Sequence, residues 1–178
     1  MTRVWVSVGS NIEPEQNVRA AIAALRDKYG ELCVSTVYRT EAVGFAGRPF
    51  LNLVAGFDTT EPPAEVLACL RATEDARGRE RRTAKFSSRT LDLDLLLYGD
   101  VCGEVAGKPL PHPDVLAYPF VLGPLAELAP AQRHPVDGRS FAELWRAMQA
   151  RGEGGSMVKA PLEGLEAGGR CAAPASRA

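Results

Sequence analysis

The chain has 178 residues, 46% hydrophobic and 24% charged, with a formal net charge of −1. That balance fits one soluble globular domain with a sizeable core and excludes a global pull on nucleic acid or anionic lipid. No apolar run approaches the roughly 18 residues of a membrane span. The amino terminus has no signal-peptide core, and the four cysteines are scattered without a C-x-x-C pair, so reduced thiols in the cytoplasm are expected and a zinc site is not.

Alternation predicts a first strand over residues 3–9, closed by Gly9-Ser10-Asn11, a turn-forming and helix-capping triplet. Pro14 suits a first helical turn, Val18, Ile22, Leu25 and Tyr29 recur at helical spacing, and Gly30 stops the helix. "ELCVSTVYRT" and "FLNLVAGFDT" read as the second and third strands. "EPPAEVLACLRATEDARG" is a helix opened by prolines and closed at Gly78, with Val66, Leu67 and Leu70 on its inner stripe. A basic, irregular segment over about residues 79–89 then leads into a strand. There Leu91, Leu93, Leu95 and Leu97 fall on one face and Thr90, Asp92 and Asp94 on the other. Short helical pieces among prolines follow, and Ser140 with Glu143 forms a capping-box pattern ahead of a last helix. The order β-α-β-β-α-β predicts an α+β fold, a split β-α-β layout with helices over one face of a largely antiparallel sheet. Residues 1–152 are expected to form the domain, and residues 153–178, rich in Gly and Ala, a flexible tail without chemistry.

Alternate residues on a strand face lie about 6.5–7 Å apart at the backbone, which is the spacing expected for Asp92 and Asp94. Two carboxylates so placed repel unless a cation lies between or above them, and hard oxygen ligands on a rigid element suit Mg²⁺ with phosphate oxygens. The bland alternative is a solvated acidic strand face. Immediately upstream stand Arg77, Arg79, Arg81, Arg82, Lys85 and Arg89, whose cationic groups match phosphate. A polyphosphate held between Mg²⁺ and arginines is therefore the leading reading, ahead of a merely solvated loop. Glu74 continues the apolar stripe of its helix, and either faces a polar partner or ends the stripe in water. His112, held between prolines in "PLPHPD", is either structural or close to the chemistry, whereas His134 has no such company. Phe50, Asn52 and Phe120 either line a flat pocket for an aromatic ring or belong to the core. No Walker A loop, kinase catalytic loop or G-x-G-x-x-G occurs.

The run "SRTLDLDLLLYG" is close to the signature of the 6-hydroxymethyl-7,8-dihydropterin pyrophosphokinases of folate biosynthesis. The chain resembles that family from about residue 3 to 150, through GSN at 9–11, YRT at 38–40, FLN at 50–52, HP at 112–113 and FVLGPLAELAP at 120–130. The resemblance implies a ferredoxin-like α-β-α fold and transfer of a pyrophosphoryl group from ATP to the hydroxymethyl oxygen of the pterin, releasing AMP. It implies that Asp92 and Asp94 bind two Mg²⁺ ions bridging the triphosphate. Arg79, Arg81 and Arg89 would contact phosphates beneath Phe86, and His112 would reach the phosphates near the breaking bond. The catalytic set would then be Asp92, Asp94, Arg79, Arg89 and His112. Backbone groups near Leu95 would read the adenine edge, with Glu74 also on the ATP side. Thr40, Val43 and Asn52 would hydrogen-bond the pterin, and Phe50 and Phe120 would sandwich it.

Departures from the family pattern are Ser87-Ser88 before the signature arginine, Gly107 at a frequently basic position (with Lys108 adjacent), and Asp114 and Tyr118 where arginines are usual. The expected partners are two small molecules, with no nucleic acid and no membrane, and the expected enzyme is a cytoplasmic monomer. The alternatives are another Mg²⁺-dependent phosphoryl or nucleotidyl transferase, a paralogue acting on a different pterin, or a non-catalytic pterin or nucleotide sensor.

Overall fold

The valines of "RVWVSVGS" make one apolar face of a central strand, β1 (Thr2–Ser10), where Val4, Val6 and Val8 are buried. The computed structural model describes residues 1–78 and 90–168. After β1 come α1 (Pro14–Tyr29), β2 (Cys33–Val34), β3 (Tyr38–Thr40), β4 (Phe50–Thr59), α2 (Pro63–Ala76) and β5 (Asp92–Tyr98). They are followed by β6 (Gly103–Val105), β7 (Lys108–Leu110), α3 (Asp114–Ala117), α4 (Pro119–Leu128), α5 (Phe141–Ala150) and β8 (Met157–Lys159). The main sheet has the order β5-β1-β4-β3-β8, with β2 also on β4, and its neighbours run antiparallel. Counting β2 and β3 as one broken strand, this is the ferredoxin-like arrangement. Ser35 bridges the break: its N–H donates to the Val54 carbonyl and its hydroxyl accepts from the Val54 N–H, both at 2.9 Å.

The helical spacing read from the sequence is realised against Val4, Val6 and Val8. There α1 buries Val18, Ala21, Ile22 and Leu25, and α2 buries Val66, Leu67 and Leu70. The second face is also covered, in part, by α4 and α5, whereas the sequence order predicted helices on one face. Trp5, Val54, Leu96 and Leu97 meet Val121, Leu122, Leu125, Phe141, Leu144 and Met148 in a separate core. Trp5 fits there because its cross-strand partner is Gly56, where a Cβ would stand 2.3 Å from the indole ring. The capping box of Ser140 and Glu143 starts α5 as predicted.

The β1–β5 ladder slips between Trp5 and Val6, which pair with Leu97 and Leu95, so Leu96 is an extra residue on β5. Leu97, expected beside Leu91, Leu93 and Leu95, turns with Leu96 into the α4–α5 core, and Tyr98 joins the first core instead.

The expectation of a flexible tail from residue 153 is corrected over its first part. There β8 adds to the sheet edge by pairing with β3, Ala160 N–H donates to the Val37 carbonyl at 2.8 Å, and Leu162 and Leu165 pack into the first core. A strand this short, set among glycines, carries too little periodicity to be read locally. Cys69 and Cys102 are free thiols. No helix among the described residues is long and apolar enough to cross a membrane.

Candidate active site

Register across the sheet places Asp92, Gly9 and Asn52 in one row and Asp94, Ser7 and Val54 in the next. Where α4 and α5 leave this face open lies a cavity of about 480 Å³, lined in part by Asp92 and Asp94. The acids thus face away from Leu91, Leu93 and Leu95, as the alternation predicts. A Cβ on Gly9 would stand 2.7 Å from Asn52 Oδ1, so glycine there leaves room for the amide to lie across β1. Asn52 Nδ2 donates to Thr40 Oγ1 at 2.7 Å, tying β4 to β3 at the cavity wall.

Thr40, Val43, Phe50, Asn52 and Phe120, predicted to receive the pterin, all line this cavity. Thr40 is buried, and Val43 is exposed. The structure adds two aromatic supports that the sequence reading missed. Phe45 meets Phe50 edge-on, with centroids 6.3 Å apart at 87°, and Tyr118 stacks on Phe120 at 5.0 Å and 16°. The signal for Tyr118 was its place two residues before Phe120. It became readable only once that residue proved extended and next to a helix start.

The Gly-Ser-Asn triplet mostly builds the frame. Ser10 Oγ lies 2.5 Å from the Thr90 carbonyl, and Asn11 Nδ2 donates to the Arg48 carbonyl at 3.2 Å. These contacts fix the start of β5 and the loop before β4. Arg77, read as part of the basic segment, donates through Nε to Asn17 Oδ1 at 2.8 Å and so ties the end of α2 to α1.

Around the acids the chain gathers His112, Asp114 and Lys108. The extra residue Leu96 offers its carbonyl to the His112 N–H at 2.8 Å, which brings the imidazole beside Asp94. His112 Nδ1 accepts the Asp114 N–H at 3.2 Å, so in the neutral ring the proton sits on Nε2. That nitrogen is 3.8 Å from Asp94 Oδ1. One ligand atom each from Asp94, His112 and Asp114 lies within 4.8 Å of the others. Burial first, and then the Asp92 charge, push the Asp94 carboxyl up to about 6, against the pull of His112 and Lys108, with Asp114 adding to the rise. Two carboxylates on alternate residues of a rigid strand, crowded by negative neighbours, are a hard-oxygen donor set that fits Mg²⁺.

A second cavity, of about 250 Å³, adjoins the outer edge of β5, and Asp94, Lys108 and His112 line both cavities. Glu74 lines the second and is buried, resolving its two readings in favour of a polar partner. Its Oε1 accepts the Leu93 N–H at 2.8 Å on the open edge of β5. Backbone groups two residues apart point to the same edge, which turns those of Leu95 toward this cavity as well. Arg79, Arg81, Phe86 and Arg89 lie outside the described residues.

The family model described as 7,8-dihydro-6-hydroxymethylpterin-pyrophosphokinase (HPPK) matches residues 5–130. A 2-amino-4-hydroxy-6-hydroxymethyldihydropteridine pyrophosphokinase of Pseudomonas aeruginosa is 40% identical over 169 residues, covering 92% of this chain and 95% of that protein. The protein of the same name from Synechocystis sp. is 38% identical over 168 residues, covering 92% and 83% respectively. Among solved structures, Plasmodium falciparum HPPK-DHPS wild type with SDX-DHP is similar in fold, with a TM-score of 0.65 and 13% identity. That match covers 85% of this chain and 44% of the other, so this chain spans less than half of that longer protein.

Proposed function

The chain belongs to the 7,8-dihydro-6-hydroxymethylpterin-pyrophosphokinase family and is a pyrophosphokinase of folate synthesis, a transferase; on that premise we propose an ATP- and Mg²⁺-dependent reaction that releases AMP. The observation that carries this reading is the junction of two cavities at Asp94 and His112. One cavity is aromatic with an amide and a hydroxyl in its wall, and the other borders an open strand edge.

In this reading the pterin lies between Phe50 and Phe120, with Thr40, Val43 and Asn52 as its hydrogen-bond partners. The adenine takes the strand edge near Leu95, which Glu74 steadies through Leu93. Asp92 and Asp94 would hold two Mg²⁺ ions, which when bound neutralise the triphosphate and the charge that develops on it. The hydroxymethyl oxygen bonds to the β-phosphorus as the bond from that phosphorus to the α,β-bridging oxygen breaks. AMP leaves with that oxygen, and the hydroxyl proton passes to solvent. His112, with its proton on Nε2, donates to phosphate oxygens at the junction. Arg79, Arg81 and Arg89 take phosphates and Phe86 covers them, by family resemblance. Positioning and charge neutralisation supply most of the rate, and no strong general base is needed. The working unit is a cytoplasmic monomer whose catalytic domain extends past residue 152 to take in β8, Leu162 and Leu165.

Incubation with ATP, Mg²⁺ and 6-hydroxymethyl-7,8-dihydropterin should release AMP in step with the pyrophosphorylated pterin. ADP, free pyrophosphate or no nucleotide product would refute the reading.

A further inference from the structure

We propose that Lys108 is a catalytic residue of this reaction, its ammonium contacting the phosphate that passes between the two cavities. The inference rests on the pyrophosphokinase reading for the identity of that phosphate. The lysine is carried by the β6–β7 hairpin, where Val105 pairs with Lys108 around Ala106 (φ 48°) and Gly107 (φ 76°). Both turn residues are left-handed, as a tight two-residue hairpin turn requires. The hairpin is pinned on several sides. Leu110 is buried and Val105 packs against the first core, Arg71 Nη2 donates to the Ala106 carbonyl at 3.4 Å, and His112 N–H is held by Leu96. Lys108 therefore stands at a fixed place, with its four-carbon stem free to reach.

That place is the junction. Lys108 shares with Asp94 and His112 the position of lining both cavities. The walls of the larger cavity carry Glu41, Asp92, Asp94 and Asp114, and among the described residues Lys108 is its one lysine or arginine. A polyphosphate brought among four carboxylates needs cations on its path, and a compact, strongly hydrated ammonium suits an oxygen that changes partners.

The test compares wild type, Lys108→Met, Lys108→Arg and the same-hairpin control Glu104→Gln. The readouts are turnover, calorimetric affinity for Mg²⁺–α,β-methylene-ATP, affinity for the pterin, and melting temperature. Lys108→Met should bind the nucleotide analogue about tenfold or more weakly, the loss of one charge-assisted hydrogen bond. Its kcat should fall, while pterin affinity and melting temperature hold. Lys108→Arg should recover most of the loss, and Glu104→Gln should match wild type. Wild-type affinity and turnover in Lys108→Met would overturn the proposal, as would a loss confined to pterin affinity or stability. If wild type binds the analogue but releases no AMP, the pyrophosphokinase reading fails and the binding comparison still decides the lysine. If wild type does not bind the analogue, both fall.

Discussion

Replacing Gly9 by alanine should separate recognition from folding. The new Cβ would stand 2.7 Å from Asn52 Oδ1, inside the 3.0 Å limit of real contacts. The atom it meets is the far end of a side chain, so the strands can stay in place while the amide swings away. The 2.7 Å bond from Asn52 Nδ2 to Thr40 Oγ1 is then strained or lost, and with it the alignment of the edge proposed to read the pterin. One hydrogen bond is worth about 0.5–1.5 kcal/mol net. Losing the Thr40 bond and one bond to the pterin therefore costs about 1–3 kcal/mol, or roughly 5- to 160-fold in pterin affinity. Global stability should fall by about 1 kcal/mol at most, a shift of about 2–4 °C in melting temperature for a chain of this size. Calorimetry with the pterin in the presence of Mg²⁺–α,β-methylene-ATP reads the first quantity, and thermal unfolding the second. Nucleotide affinity should stay within about twofold, since the perturbed amide lies in the cavity proposed for the pterin. Combining Gly9→Ala with Asn52→Ala should add nothing beyond Asn52→Ala alone. Unchanged pterin affinity, or equal losses for pterin and nucleotide, would refute the reasoning.

Asp92→Ala and Asp94→Ala should each lower turnover roughly 10²–10³-fold, because a lost dication ligand removes several kcal/mol of charge stabilisation; near-wild-type rates in either protein would overturn the metal assignment. A chain ending at residue 152 loses β8 and the packing of Leu162 and Leu165. At about 1.5–3 kcal/mol per buried leucine this costs about 3–6 kcal/mol, and an unmoved urea midpoint would disprove the role given to that segment. Burial holds His134 below its ordinary pKa of 6.5, although Asp137 pulls the other way. Its Nδ1 accepts the N–H groups of Val136 and Asp137 at 3.3 and 3.1 Å. A depressed folded pKa gives stability that is present above 6.5 and lost as pH falls below it, so unfolding free energy should drop between about pH 7.5 and 5.5. The drop should be smaller in His134→Asn, which keeps an acceptor oxygen without titrating; identical pH dependence in the two proteins would exclude this origin.

The parts of the molecule legible in the sequence are those governed by local periodicity. Val18, Ile22 and Leu25 announce α1, and Leu91, Leu93 and Leu95 announce the buried face of β5, because each pattern repeats within one element. The diacid follows from the same alternation, and the residues that line the larger cavity follow from short motifs around Thr40, Asn52, His112 and Phe120. What stayed hidden depends on partners distant in the chain. Leu97 changes face because the ladder with Trp5 and Val6 slips, which no pattern within β5 encodes. The second core needs Gly56 beside Trp5, a pairing across two strands. Glu74 looked undecided because its partner, the Leu93 N–H, is a backbone group on an edge visible only after the strand order is known. Tyr118 and Phe45 contribute through ring geometry, which spacing alone does not carry.

The one-residue slip at Leu96 has a consequence for how this enzyme tolerates change. Ahead of it, β5 shows acids to the open cavity; behind it, the strand is committed to the α4–α5 core, and the displaced carbonyl holds His112. Chain length between Asp92 and Tyr98 is therefore a functional coordinate in its own right. A single deletion there would move the imidazole relative to the aspartates and exchange the faces of the following residues together. Libraries aimed at new pterins or nucleotides should vary the cavity walls and hold this length constant, and natural insertions should collect in the connections on either side.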